Sequence, residues 1–485
     1  METQRQLIRS LYIFLFLSPL LVLGFYLEAS WSLKLSDVLQ YFFQSLVQAS
    51  LSTFFIAVFG FLFCIGLLGM KSAKKKKVVM ALSVLPAFAP TIFIVMSFQL
   101  WLNFINVHDA DGILLVSFIH GIMNLGLAGT LFYFLIEQGL RKQASLAYLE
   151  GANSFNIILH LFRARSKEFL VFLVSMFGLC FTSFAIPMIL GGKSGGTLEI
   201  LAYKQLNESG DLTGAFALMF LQWICFYLLI QPLSKGIKMN FQTGFGIPSA
   251  IGKSAFTILG LFAFVISLGG MFMGVGKGMT QFIELFNTHF PVMSLWLNSI
   301  SLSLFAAGIS LVLYLTLSYL WVDAKLNKFT VGFGSVSSVM LGLGLFVMPL
   351  PNTIKLGIGL SILFFPLAYR LFGLTSLNAL TRQCEVAELM GSTRLQRFQT
   401  IIFPQVLPSA LRLAGVVSFW TIGEYAMSSV VTGELFNLGL LAKSFMMGYR
   451  LELATILNWI ILLSGGALFL IFLWSADVCR RKLEI

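Results

Sequence analysis

Glu424 is the ionisable residue of this sequence with the clearest potential for chemistry, because it lies about midway along an apolar run at 411–432. A charge at the centre of a membrane helix costs roughly 2.5–3.5 kcal/mol on insertion scales, so a carboxyl group there needs a function or a partner. One interpretation is that Glu424, flanked by Gly423 and Tyr425, faces a pathway and offers negative potential to a cationic solute. The alternative is a protonated or internally paired structural carboxylate.

A second set of residues is defined by its spacing in a polar loop at about 375–410. The set comprises Glu385, Ala387, Gly391, Ile401 and Pro404. The segment before Gly391 contains few helix breakers, so a short helix is predicted there, and the glycine allows the backbone to turn where a side chain would obstruct it. Pro404, together with Pro408, is expected to stop a second short helix before the next apolar run.

Catalytic and metal-binding motifs are not predicted. Gly192-Lys193-Ser194 and Gly252-Lys253-Ser254 imitate the end of a phosphate-binding loop, but the preceding glycine is missing or misplaced and neither follows a buried strand. His120 and His160 have no Cys or Asp at ligand spacing. The sequence therefore predicts no catalytic residue, no metal site and no cofactor on this chain.

The composition indicates a membrane protein. Of the 485 residues 58% are hydrophobic and only 11% are charged, whereas a soluble domain carries about 25% charged residues. The net charge of +12 is concentrated between apolar runs, which favours a charge bias between the two sides of a bilayer over nucleic-acid binding. A lipid bilayer is the expected surrounding, and no nucleic-acid partner is predicted.

Apolar runs long enough to cross a bilayer, about 20 residues each, predict an all-α polytopic protein with about twelve spans. Prolines 349 and 351 are expected to form a turn between two spans rather than a kink in one. The predicted spans lie near 8–27, 45–70, 78–102, 113–136, 169–190, 214–233, 254–274, 295–321, 331–349, 354–374, 411–432 and 454–475.

The distribution of basic residues orients these spans. With a cytoplasmic N-terminus, 25 of the 32 basic residues fall on the inner side, and 7 fall on the outer side. This agrees with the excess of Lys and Arg in cytoplasmic loops of membrane proteins. Both termini are therefore predicted to be cytoplasmic. The outer residues are Lys34, Lys193, Lys204, Lys277, Lys355, Lys443 and Arg450.

Two long loops suggest an internal duplication. The loop at 139–168 and the loop at 375–410 each follow four predicted spans and precede two, and Gly151 and Gly391 lie 240 residues apart, as do Ala147 and Ala387. We interpret residues 1–241 and 242–485 as two tandem six-helix halves in parallel orientation.

The spacing in the second loop resembles the EAA signature of ABC-importer permeases, with Val386 and Phe403 as departures from it. The first loop resembles a degenerate copy in which Ser145 replaces the glutamate. The resemblance implies a type I importer permease of MetI-like fold, in which both loops contact the ATPase subunit. The residues so implied are Ala147, Gly151, Ala152, Glu385, Ala387, Gly391, Ile401 and Pro404.

The stretches 179–203, 211–222, 422–425 and 448–450 are similar to fused permeases of thiamine importers, and fused ferric-iron permeases share the same plan. This resemblance implies import of thiamine or a thiamine phosphate across a bacterial inner membrane, with Fe(III) as the alternative. It also implies two copies of a cytoplasmic ATPase, which carry ATP and Mg, and a periplasmic or lipid-anchored binding protein. Glu424, Tyr425 and Ser183, which is near the equivalent position of the first half, are the candidate pathway residues.

Two other classes are open from the sequence alone. Twelve helices with internal symmetry are also compatible with an ion-coupled secondary carrier, although such carriers need intramembrane charges and this chain offers little beyond Glu424. A membrane-embedded enzyme would need a cluster of His, Asp or Ser, which the sequence does not display. Dependence on an ATPase partner separates the importer from the carrier.

Overall fold

The computed structural model describes residues 2–27, 33–107, 111–192, 195–230, 251–287, 291–320, 324–334 and 336–482. Within these ranges the chain is helical and contains no β-strand. The predicted boundary between residues 241 and 242 lies outside the described residues. The two halves therefore stay a prediction about the sequence.

Ten helices precede residue 231. They are α1 (Glu2–Gly24), α2 (Leu35–Gly69), α3 (Ala73–Phe88), α4 (Thr91–Phe104), α5 (Ile113–Leu149), α6 (Ser154–Ala164), α7 (Ser166–Phe181), α8 (Ala185–Leu190), α9 (Leu198–Asn207) and α10 (Leu212–Ile230).

The described residues from 251 onward add a further series. It comprises a 3-10 turn (Ser254–Thr257), α11 (Ile258–Gly269), a second 3-10 turn (Gly270–Phe272), α12 (Val275–Asn287), α13 (Val292–Leu320), α14 (Ala324–Phe333), α15 (Ser338–Phe346), α16 (Asn352–Ala368), a π-turn (Tyr369–Gly373), α17 (Leu374–Ala379), α18 (Thr381–Leu389), α19 (Arg394–Arg397), a second π-turn (Phe398–Ile402), α20 (Phe403–Thr421), α21 (Ala426–Val431), α22 (Leu438–Met447) and α23 (Leu451–Lys482).

Eight helical segments of the described chain are long and apolar enough to span a bilayer, and the pair α3 and α4, bent by 99°, would make a ninth. The protein is thus an all-helical, multi-pass membrane protein, but the predicted number of twelve spans is not confirmed. The predicted spans at 169–190, 331–349 and 354–374 coincide with helices shorter than 18 residues. Their apolar runs continue through turns, and hydropathy alone does not register such interruptions.

Two local predictions about prolines have different outcomes. The turn at Pro349 and Pro351 is confirmed, because α15 ends at Phe346 and α16 begins at Asn352. The prediction that Pro404 and Pro408 stop a helix is wrong, since helical backbone runs without a break from Arg394 to Thr421. Pro404 lies in the first turn of α20, where its missing N–H is tolerated.

The position of Glu424 also differs from its prediction. The helix that carries the run at 411–432 ends at Thr421, and Glu424 lies in the turn that connects α20 to α21. It is therefore not at the middle of a helix. The run stays apolar on both sides of this turn, which is why the sequence did not reveal it.

The chain divides into two compact units. The larger unit contains Met1–Ser32, Ala202–Trp223 and Lys277–Ile485, and its core includes Phe16, whose ring contacts those of Phe329, Phe333 and Phe365. The smaller unit contains Leu33–Leu201 and Ile224–Gly276. In it α2 and α5 approach closely where Gly60 faces Ala128 and Gly129, as small residues permit between membrane helices.

The order of helices after each long loop recurs along the chain. Helices α8, α9 and α10 begin at residues 185, 198 and 212, and α21, α22 and α23 begin at 426, 438 and 451. The separations are 241, 240 and 239 residues. The recurrence places a short helix, a second short helix and a long apolar helix at corresponding positions of the sequence.

Candidate functional site

The first hairpin, which we define as residues 143–165, turns at Gly151. Gly151 has a φ of +81°, its N–H donates to the carbonyl of Tyr148 at 3.1 Å, and the N–H of Ala152 donates to the carbonyl of Ala147 at 3.0 Å. These two bonds form the Schellman motif that ends a helix at a residue in the left-handed region. Ala147, Gly151 and Ala152, all predicted from the sequence, therefore form one turn.

The second hairpin, residues 381–402, has the same turn. Gly391 has a φ of +83°, its N–H donates to the carbonyl of Glu388 at 2.9 Å, and the N–H of Ser392 donates to the carbonyl of Ala387 at 3.0 Å. The two hairpins thus share their backbone hydrogen bonds residue by residue, with a separation of 240 positions. Ala387 and Gly391 lie in this turn as predicted.

The first hairpin closes around a cleft. Asn153 caps α6 by accepting from the N–H of Phe155 at 3.0 Å, which fixes the direction in which α6 leaves the turn. Between the end of α5 and α6 lies a cleft of about 170 Å³, lined by Gln143, Ala144, Ala147, Ala152, Asn156, Ile157, His160 and Leu161.

The second hairpin is held by polar side chains. Thr393 and Gln396 form a reciprocal capping box at the start of α19, and Nη1 of Arg397 lies 2.8 Å from Oε2 of Glu388 on the preceding helix. Of the other residues predicted in this loop, Glu385 is exposed, whereas Ile401 and Pro404 are half-buried. Glu385 is therefore accessible, while Ile401 and Pro404 pack partly against the protein.

Both hairpins expose apolar side chains at their tips. Leu149 is 80% exposed, and Leu389 and Met390 are 88% and 82% exposed. Leu149 and Leu389 are again 240 residues apart. Sequence reasoning did not identify these leucines, although their position two residues before each glycine was a usable signal. Exposed large apolar residues outside the spans are typical of a surface that a partner covers.

Two titratable groups of the hairpin regions are perturbed. Burial raises the pKa of the Cys384 thiol, in spite of the positive charge of Arg397 nearby. Burial also acts to raise the pKa of Glu168, but the hydrogen bond from Arg165, at 2.8 Å, outweighs it and the pKa of Glu168 is lowered. Glu168 is therefore held as a carboxylate at the start of α7.

Glu424 has one satisfied oxygen and one that is not. Oε1 accepts from the N–H of Met427 at 2.9 Å, so the carboxylate caps α21. Oε2 is inaccessible to solvent and has no hydrogen-bond partner among the described residues. The backbone carbonyl of Glu424 accepts from Nδ2 of Asn437 at 3.2 Å. The turn is therefore fixed while one carboxylate oxygen stays available.

A lysine and two tyrosines lie close to this carboxylate. Nζ of Lys443 lies 5.2 Å from the ring centroid of Tyr203 and 5.6 Å from that of Tyr425, and its charge interacts with that of Glu424. Each cation–π contact is worth about 0.5–2 kcal/mol, depending on desolvation. Tyr425 was predicted from the sequence, but Tyr203 and Lys443 were not.

Several polar groups order this cluster. Tyr203 shares a hydrogen bond with the hydroxyl of Ser429, and Tyr425 is only 2% exposed. Lys443 and Tyr203 are 240 residues apart, so the internal repeat was the signal that could have connected them. We call Tyr203, Glu424, Tyr425 and Lys443 the cation cluster. All four residues belong to the larger unit.

Ser183, the third predicted pathway residue, belongs to the smaller unit. It is half-buried in the turn between α7 and α8, and its N–H donates to the carbonyl of Cys180 at 3.3 Å. This turn corresponds in chain order to the one that carries Glu424. The role of Ser183 stays a prediction.

The fold and these features define the chain as a multi-pass helical membrane protein with two matched hairpins and a polar cluster beside one helix end. Comparison with protein-family models, with curated proteins and with solved structures finds no match for the chain.

Proposed function

We propose that this chain is the transmembrane subunit of an ABC importer of the type I, MetI-like class, as the resemblance of its second loop implies. The observation that carries the proposal is the pair of matched hairpins. Gly151 and Gly391 have the same left-handed conformation and the same flanking hydrogen bonds, and each follows an exposed leucine. A protein driven by two identical motor subunits needs two equivalent handles.

The hairpins serve as the docking elements for two cytoplasmic ATPase subunits. Leu149 and Leu389 are the apolar contacts, because they are exposed in the chain by itself and are available for burial in a groove. ATP and Mg belong to the ATPase subunits, and this chain is not an enzyme. Closure of the ATPase dimer draws both hairpins together and rocks the bundle between outward-open and inward-open states.

The cargo is a small organic cation, with thiamine or a thiamine phosphate favoured. Glu424 and two tyrosine rings surround a position that already holds an ammonium group, and aromatic faces suit alkylated or delocalised cations. Fe(III), the alternative cargo, prefers oxygen ligands, and the cluster offers one carboxylate.

The membrane is the bacterial inner membrane, with both termini in the cytoplasm. A periplasmic or lipid-anchored binding protein delivers the cargo on the outer side, because the chain has no large outer domain that could select a scarce solute. This orientation follows from the distribution of basic residues and the positive-inside rule.

The test is reconstitution in liposomes with the ATPase subunits and the binding protein. Uptake of labelled thiamine is expected to require all three components and ATP on the ATPase side. An ATPase with its catalytic glutamate replaced serves as the control and should abolish uptake. Uptake by this chain by itself, driven by an ion gradient, would show a secondary carrier and overturn the proposal. Calorimetry of the binding protein with thiamine and with Fe(III) separates the two cargoes.

A further inference from the structure

Lys443 is an unusual residue to find beside Glu424. It lies on α22, its side chain is half-buried, and its ammonium nitrogen is within 6 Å of two tyrosine ring centroids. Lysine is a strongly hydrated cation on a flexible stem and has no need of such surroundings on an exposed helix. The arrangement is that of an aromatic cage in which the protein supplies the ligand.

The surroundings of this ammonium group are built rather than incidental. Tyr203 is fixed through its hydroxyl by Ser429. Glu424 is fixed through Oε1 by the N–H of Met427, and its Oε2 has no partner among the described residues. Asn437 joins the turn of Glu424 to the start of α22, because its Nδ2 donates to the carbonyl of Glu424 and its Oδ1 accepts from the N–H of Leu440.

We propose that Lys443 is a built-in competitor: its ammonium group fills a cation-binding cage formed by Tyr203, Tyr425 and Glu424, and a small organic cation binds by displacing it. The ligand class is an alkylated or delocalised cation of ammonium size at its charged end. That this cation is the cargo rests on the proposed function, whereas the cage and its displacement do not.

The geometry permits the exchange. Lysine keeps its head group in water while its stem lies along the protein, so a half-buried Lys443 has a route for its ammonium group to leave. When the cage is empty of ligand, Lys443 neutralises Glu424 and avoids an unpaired buried charge. When a cation enters, it takes over both the rings and the carboxylate. Lys443 thereby lowers the apparent affinity, since only the fraction of molecules with a displaced lysine is competent to bind.

The experiment measures binding of labelled tetramethylammonium to the purified chain in nanodiscs by equilibrium dialysis, without ATPase or nucleotide. Lys443→Met is expected to tighten binding by about tenfold or more, whereas Lys443→Arg should stay near the parental affinity. The matched control is Lys204→Met, which removes a positive charge from the exposed residue next to Tyr203. Its affinity should not change.

A double variant tests the role of the carboxylate. Lys443→Met with Glu424→Gln should lose the gain in affinity, because the cage then lacks its negative charge. An unchanged affinity in Lys443→Met overturns the proposal, and so does a gain that persists in the double variant. Size-exclusion profiles and thermal unfolding midpoints of all variants are compared with those of the parent.

A second measurement uses the parental chain and is independent of folding in the variants. Reductive methylation of lysines, read by mass spectrometry, should label Lys443 faster when tetramethylammonium is present at saturation, with Lys204 as the internal reference. No increase at Lys443 would contradict displacement. Failure of the importer proposal is a separate result, since it appears as ATP-independent uptake in liposomes and leaves these binding measurements as they are.

Discussion

The two hairpins have the same turn but are stabilised by different means. In the first, an eleven-residue helix, α6, packs over a cleft of about 170 Å³ and only its N-cap is polar. In the second, a capping box and the ion pair between Arg397 and Glu388 hold a much shorter helix. The comparison teaches that the backbone turn around the glycine is the feature the two loops share, while their side-chain support differs. We therefore expect the two ATPase contacts to be equivalent in position and unequal in strength.

The largest effect is expected at the leucine of the second tip. Leu389→Asp should weaken binding of the ATPase subunit by about 10–100-fold, since a buried leucine side chain contributes about 1.5–3 kcal/mol. Leu149→Asp should cost only a few-fold, because the first hairpin lacks the polar network that orders the second. The measurement is an ATPase titration by surface plasmon resonance on nanodisc-bound chain.

The control for this prediction is Gln399→Asp, which adds the same charge to an exposed position of the second hairpin away from its tip. Its affinity should match that of the parent. Equal losses at Leu149 and Leu389 would argue against an unequal pair, and no loss at either would remove the tips from the interface.

The next effect concerns the shared turn. Gly391→Val should reduce ATP-driven uptake by about 5–30-fold, which corresponds to the roughly 1–2 kcal/mol cost of a left-handed conformation for an L-residue. An added Cβ meets no atom within 4 Å at Gly391, so the penalty comes from the backbone alone. Gly391→Asn, which tolerates this conformation, is the matched control and should retain most of the activity.

The same comparison applies at Gly151, whose φ of +81° and open surroundings are alike. If Gly151→Val has a much smaller effect on uptake per ATP hydrolysed than Gly391→Val, the two hairpins contribute unequally to coupling. If neither valine variant changes that ratio, the glycine turns have no part in coupling.

A smaller effect is expected from the ion pair of the second hairpin. Arg397→Ala should increase hydrogen exchange of the amides from 381 to 397 by a few-fold, because a partly exposed pair contributes up to about 1 kcal/mol. Glu388→Gln should act alike, and Arg382→Ala, at an exposed residue of the same helix, should have no effect. Exchange of the first hairpin should stay constant in all three variants. Faster exchange there would show that the hairpins are not independently supported.

The smallest effect is a pH dependence near the first hairpin. Because the pKa of Glu168 is lowered in the folded chain, its pairing with Arg165 stabilises α7 above the usual pKa of a glutamate, and the stabilisation is lost as the pH falls through the lowered pKa. Both side chains are partly exposed, so the contribution is about 0.5 kcal/mol or less. Glu168→Gln should remove this pH dependence from the exchange of the first turn of α7. A persistent dependence would assign it to another group.

The sequence predicted those features that depend on local backbone chemistry or on repetition. The turns at Gly151 and Gly391, the short helix before Gly391 and the break at Pro349 and Pro351 were all predicted correctly. Each depends on glycine or proline, whose backbone preferences act within a few residues. The all-helical membrane class followed from hydropathy in the same direct way.

Helix ends inside apolar runs could not be predicted from hydropathy. The turn at Glu424 is satisfied by Asn437, which is 13 residues further along the chain, and no local signal marks that hydrogen bond. The same is true of the cation cluster, in which α9 contributes Tyr203 from more than 200 residues away. Pro404 was misread because the π-turn before it lets helical backbone continue into the proline.

The π-turn at Tyr369–Gly373 gives the two halves of the sequence different mechanical stiffness. Helix α5 is an uninterrupted rod of 37 residues that ends at the first hairpin, whereas its counterpart, α16, reaches the second hairpin only through this widened turn and two short helices. A turn with i to i+5 bonds marks a place where a helix bends or twists at low cost. A pull on the first hairpin is therefore transmitted along a stiff lever, while the same pull on the second is partly absorbed as torsion.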